Sequence, residues 1–253
     1  MRTVISTFLV AWLLSAGVGV AAGAGKLIIA TEGAYPPFNS IGPNGQLSGF
    51  DVDIANALCR EMNVECELVA QDWDGLIPGL QAGKFDAIVA SMTITDERKK
   101  QVLFTRKYYA TPLSLVALKG SGVGTTDPAQ LVGKTVGAQA ATVQAQYAEE
   151  HYAPAGADIK QYPNYEDAVA DLNNGRLDVV ISDKLFLMQW LDSAGKDCCE
   201  LVGDIPGTET EAGIAVGLRE EALRDRFDTA LEEIRADGTY EAIRSRYFKF
   251  DIY

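Results

Sequence analysis

Arg98 is the residue whose setting most directly asks for chemistry. It stands in the charged run Glu97-Arg98-Lys99-Lys100, which by itself would read as a solvated face. Thr95, however, is a natural helix N-cap, and it places Arg98 in a first helical turn where the dipole disfavours a cation. A guanidinium beside free backbone N–H groups makes sense around an anion. Thr142 has a related setting: it follows Ala140-Ala141 after a strand-like run and opens a helical stretch to Glu150, so its N–H can reach the same anion. Asp183 supplies the opposite charge at the end of the apolar run Val179–Ser182; as a structural residue it would cap the helix Lys184–Ser193. Phosphate and nucleophilic chemistry find no comparable support. No G-x-S-x-G elbow occurs, and Gly79-Leu80-Gln81-Ala82-Gly83-Lys84-Phe85 is one residue short of P-loop spacing and lacks Ser/Thr after Lys84. The single histidine, His151, lies among Glu149, Glu150 and Tyr152 on a polar stretch, and one histidine excludes a His-rich metal centre.

These side chains need strands and helices to bring them together. Short β-rich apolar runs alternate with helical patterns: Leu27–Ala30, Glu67–Ala70, Phe85–Ala90, Leu113–Leu118, Thr135–Ala138, Ile159–Tyr162, Val179–Ser182 and Gly213–Leu218 read as strands. Ile54, Leu58 and Met62 mark a helix between the first two. This is the βαβ signature of an α/β protein with a mostly parallel sheet covered by helices. The chain closes with helices over Glu221–Ala236 and Thr239–Arg246, joined at Asp237-Gly238, where Thr239 is placed to cap the second. Leu80–Ser91 is echoed in spacing and residue class by Leu172–Asp183. Each copy reads as a helix end, a glycine stop, a basic residue and a buried strand. Two similar lobes follow, offering Ser91 and Asp183 from carboxyl ends of strands to one shared cleft, the place where open α/β sheets bind ligands.

With 35 Asp+Glu against 22 Lys+Arg, the chain of 253 residues carries a formal charge of −13, which argues against a nucleic-acid surface. Its first residues differ from the rest. Met1-Arg2 precedes an almost unbroken apolar run from Val4 to Val20, and Ala22-Gly23-Ala24 has the small-x-small pattern of a signal-peptidase site. Residues 1–24 are therefore expected to be a signal peptide, with the exported protein starting at Gly25; in a bacterium the destination is the periplasm. Export permits disulfides, and Cys59 and Cys66, separated by a short helix-to-strand connection, are expected to pair. Cys198 and Cys199 are adjacent, closer than relaxed disulfides allow, which leaves a vicinal bond or two thiols open.

Five further segments, in order, carry a resemblance: Ala34-Tyr35-Pro36-Pro37-Phe38, Gly49-Phe50-Asp51-Val52-Asp53-Ile54, Asp72-Trp73-Asp74-Gly75-Leu76-Ile77-Pro78, Thr93-Ile94-Thr95-Asp96-Glu97-Arg98 and Asp237-Gly238-Thr239-Tyr240. Over almost all of Lys26 to Tyr253 the sequence resembles the periplasmic amino-acid-binding proteins of ABC importers, the group of lysine/arginine/ornithine-, histidine- and opine-binding receptors. The resemblance implies a two-lobed periplasmic-binding-protein fold with two crossover hinge strands, residues 25–110 and 213–253 forming lobe 1 and residues 111–212 lobe 2. It implies a monomer that closes on a free amino acid or derivative and delivers it to a membrane permease and ATPase, with no cofactor. Arg98 would clamp the ligand α-carboxylate together with Thr142. Asp183 would meet the α-ammonium with Ser91 and Thr93, and Tyr35 and Trp73 would sandwich the side chain. Glu32 would face a cationic distal group. Ala90, where basic-amino-acid relatives carry Ser, also lines the expected site, and Ala141 likewise replaces a hydroxyl; both leave room for a longer solute, including an opine.

Two rivals share the expected fold. A periplasmic dehydratase could use Glu32 and Asp183 as general acid or base. A receptor sensor lobe or cell-wall lyase module would need a further membrane helix or catalytic domain. Arg98, Asp183 and Glu32 already have complementary targets on a dibasic amino acid, so binding is the expected function.

Overall fold

The computed structural model describes residues 26–253; the expected signal peptide lies outside the described residues. The strands are β1 (Leu27–Thr31), β2 (Ala34–Tyr35), β3 (Asn39–Ile41), β4 (Leu47–Ser48), β5 (Cys66–Ala70), β6 (Ala87–Ile88), β7 (Leu103–Leu118), β8 (Thr135–Gln139), β9 (Asp158–Tyr162), β10 (Val179–Asp183) and β11 (Cys199–Val216). The helices are α1 (Phe50–Glu61), α2 (Leu76–Gln81), α3 (Asp96–Lys99), α4 (Val143–Tyr147), α5 (Tyr165–Asn173), α6 (Lys184–Leu191), α7 (Glu221–Ala236) and α8 (Thr239–Tyr247).

Eight strands form one mixed sheet in the order β5-β1-β6-β11-β7-β10-β8-β9, and β2, β3 and β4 make a small second sheet. The long antiparallel ribbon of β7 and β11 runs through the middle of the large sheet. On one side β6, β1 and β5 are parallel to one another, and on the other β10, β8 and β9 are. The repeated sequence is thus a topological repeat: β6 lies against β11 on one flank of the ribbon, β10 against β7 on the other.

The central ribbon corrects the sequence reading. The expected strand Leu113–Leu118 is the end of a 16-residue strand, and Gly213–Leu218 belongs to an 18-residue one that starts at Cys199. Their added lengths, with Arg106-Lys107 in one and Glu209, Glu211 and Asp204 in the other, carry no apolar run to betray them. Conversely, Phe85–Ala90 shrinks to Ala87–Ile88. Thr239 is the first residue of α8 rather than its cap; Gly238 occupies the cap position in the left-handed region, and Asp237 Oδ1 accepts from the Thr239 N–H at 2.8 Å.

Burial follows the amphipathic faces. α7 turns Phe227, Ala230, Leu231 and Ile234 inward, where they join Ile54 and Leu58 of α1. Gly49, at the start of α1 with φ 125°, approaches so closely that an added Cβ would sit 2.3 Å from the Phe38 carbonyl oxygen. Cys59 and Cys66 are bonded, tying the end of α1 to β5, and Cys198 and Cys199 are bonded to each other. No described helix is long and apolar enough to cross a membrane.

Candidate functional site

All six parallel strands direct their carboxyl ends to one cleft. From one side come Glu32 and Tyr35 after β1, Trp73 after β5, and Ala90, Ser91 and Thr93 after β6, with Arg98 on α3. From the other come Gln139 ending β8 and Thr142 after it, Gln144 on α4, Tyr165 after β9 and Asp183 ending β10. The nine residues singled out for the site in the sequence thus lie around one cavity.

Arg98 is held in place locally. Thr95 caps α3 as expected, its Oγ1 accepting from the Arg98 N–H at 3.1 Å, and the guanidinium donates to the Thr93 carbonyl at 2.8 Å and to the Ala141 carbonyl at 3.3 Å. Its carbon lies 5.3 Å from the centre of the Trp73 ring. Burial pulls its pKa down to about 10, partly offset by the charge of Asp183, so it stays a cation at neutral pH. Thr142 caps α4, accepting from the Ala145 N–H at 3.1 Å while donating to the Gln139 carbonyl at 2.6 Å.

Asp183 begins the turn into α6 without capping it; its side chain is occupied in the cleft instead. Tyr35 donates to Oδ2 at 2.9 Å and Gln144 Nε2 to Oδ1 at 2.7 Å. Burial nevertheless lifts the carboxyl to about 6, against these bonds and the nearby Arg98 charge. Tyr35 packs in an aromatic cluster, its ring stacked on Phe186 at 4.6 Å and on Phe38 at 5.5 Å. Glu32 accepts from Gln139 Nε2 at 2.5 Å, and its burial, the largest influence, raises it to about 7. Ser91 has φ 53°, an unusual backbone state for a non-glycine residue. It is held by its Oγ donating to Asp51 at 3.0 Å and its N–H to the Tyr108 hydroxyl at 2.8 Å.

Sequence reading missed Gln139, Gln144, Tyr165 and the supporting Asp51. An uncharged amide at a strand end has no signature in one sequence. Asp51 was visible only as an acid in the first turn of a helix, where the dipole alone explains it. The only available clue was its place in Gly49-Phe50-Asp51, between a glycine and buried apolar residues. Chemically, a guanidinium on one wall and two carboxylates elsewhere suit a molecule with an anionic group and one or more cationic groups.

The chain matches the family model for bacterial extracellular solute-binding proteins, family 3, over residues 27–250. It is 43% identical over 231 residues to the L-arginine-binding protein of Pseudomonas aeruginosa, covering 89% of this chain and 88% of that one. It is 38% identical to the histidine-binding periplasmic protein of Salmonella typhimurium, covering 100% and 98%. Among solved structures, an ancestral arginine-binding protein bound to arginine superposes with a TM-score of 0.84 at 35% identity, covering 89% of this chain and 99% of that one.

Proposed function

We propose, from the premise that this chain belongs to the bacterial extracellular solute-binding proteins, family 3, that it is a periplasmic receptor which captures a free amino acid with a cationic side chain and presents it to an ABC importer. The observation that carries this reading is the placement of Arg98, Asp183 and Glu32 around one cleft. Arg98 takes the α-carboxylate with Thr142, and Asp183 the α-ammonium with Ser91 and Thr93. Glu32 takes the distal cation, with Trp73 and Tyr35 alongside the side chain and Ala90 leaving space beside it. Arginine-, histidine- and lysine/arginine/ornithine-binding proteins among the relatives support the ligand class.

Residues 25–110 and 213–253 form one lobe and residues 111–212 the other, the changeover falling within β7 and β11. Ligand contacts from both lobes favour the closed state, and the closed monomer is what the permease and ATPase recognise. The site binds and does not transform: its carboxylates answer to charges on the ligand. Calorimetry and thermal shift against the amino acids and opines test this. Arginine, lysine, ornithine or histidine should raise Tm and be recovered unchanged. Chemical conversion of a bound ligand, or absence of a shift with every cationic amino acid, overturns the reading.

A further inference from the structure

Glu32 and Gln139 face each other from opposite sides of the cleft, and both are buried, 7% and 2% exposed. The Gln139 amide donates to Glu32 Oε1 at 2.5 Å and to the Pro163 carbonyl at 3.0 Å. Glu32 follows β1 and Gln139 ends β8, so their bond spans the two sides of the cleft, and in the closure proposed above it forms as they come together. The other charges acting on Glu32 are carboxylates: Asp72 after β5, Glu166 in the first turn of α5 and Asp51 in α1. The remaining ionisable groups lining the cleft are Tyr35, Tyr165, Arg98 and Asp183.

We propose that Gln139 is a specificity-determining residue, and that through it Glu32 makes the choice between cationic and uncharged ligand side chains proton-linked. The inference rests on the amino-acid-receptor reading above. A cationic side chain neutralises Glu32 where it stands, so closure on arginine needs no proton. An uncharged side chain leaves a buried carboxylate among other carboxylates with one amide donor to hold its charge. Closure on glutamine then takes up a proton at Glu32, which becomes a carboxylic acid. Burial supports this direction, raising Glu32 from 4.5 to about 7 even with Gln139 in contact. A carboxyl raised by closure favours closure fully below its open-state pKa and loses that advantage as pH rises through the closed-state value. With the solvated carboxyl of the open cleft taken at the ordinary value of 4.5, the window runs up to about 7. Gln139 sets its upper edge, because its donated bond favours the anion.

Calorimetry with arginine and glutamine on the exported chain, between about pH 5.5 and about pH 8, tests this. Glutamine affinity should rise relative to arginine on the order of tenfold as pH falls across that range. Buffers of different ionisation enthalpy should show about one more proton taken up with glutamine than with arginine near pH 6. Asp183 and Asp51 meet both ligands alike and cancel in the ratio. Glu32→Gln should flatten the ratio, and Gln139→Leu should move its midpoint upward. A Gln139 that only fills space would weaken both ligands equally and leave the midpoint in place, which would overturn its assigned role. A ratio flat with pH in the wild type, or arginine binding without glutamine at every pH, overturns the inference alone. Failure of both to bind removes the receptor reading and this inference with it.

Discussion

The Tyr35 hydroxyl donates to Asp183 at 2.9 Å, joining residues 148 positions apart across the cleft. The Tyr35 ring is fixed independently by its stack on Phe186. Tyr35→Phe therefore keeps the packing and removes the bond to Asp183 together with the 3.2 Å hydrogen bond to the Ser182 hydroxyl, while Gln144 still serves Asp183. The loss should be about 1 kcal/mol, roughly fivefold in affinity, and equal for arginine and glutamine. Calorimetry that found an unequal loss would make Tyr35 a reader of the side chain rather than a closing contact.

Asp51 is fully buried and accepts from Tyr108 at 2.7 Å, Asn39 at 2.8 Å and Ser91 at 3.0 Å. Asp51→Ala leaves three buried donors without that acceptor, each costing about 1–3 kcal/mol. Urea unfolding should show a loss of about 3 kcal/mol or more, and ligand affinity should fall because Ser91 loses its tether. A loss under about 1 kcal/mol would mean the network relaxes around the missing carboxylate.

The parallel strands were legible because their apolar runs are short, β-branched and bounded by glycine, as in Gly175-Arg176-Leu177-Asp178-Val179-Val180-Ile181. The ribbon was not. Its β11 half sets buried Ile205 between exposed Asp204 and Pro206, so its strand character comes from hydrogen bonding to β7 and not from composition. The site divides the same way. Charged residues at strand ends were visible, since a buried charge needs a reason. Gln139 and Gln144 were not, because their roles arise from partners 107 and 39 positions away.

The two disulfides should differ in what they contribute. Cys59–Cys66 closes a short loop between α1 and β5, so removing it by Cys59→Ala with Cys66→Ala should cost about 2–3 kcal/mol in the chain-entropy model. Cys198–Cys199 links neighbours and restrains almost no additional chain, so Cys198→Ser should change Tm far less. Non-reducing peptide mapping with thermal unfolding checks both. Equal Tm losses would show that the vicinal bond shapes the turn from α6 into β11.

Arg98 and Trp73 converge on a single acceptor, the carbonyl of Ala141, at 3.3 and 3.1 Å. Ala141 has φ 59°, a backbone state that turns this non-glycine carbonyl toward the opposite side of the cleft only at some conformational cost. Trp73→Phe keeps a ring under the guanidinium but loses the indole N–H and part of the ring surface, so it should weaken every ligand by about fivefold or more. Arg98→Ala removes the cation facing the α-carboxylate as well, and should weaken arginine, lysine, histidine and glutamine alike by about 10- to 150-fold, or about 1.5–3 kcal/mol. Arg98→Lys keeps a charge without the planar fork, and should restore only part of that loss. A uniform loss across ligands of different side chain is the expected calorimetric result. If Arg98→Ala spares glutamine while crippling arginine, Arg98 reads the side chain, and the α-carboxylate must be held by Thr142 and the start of α4.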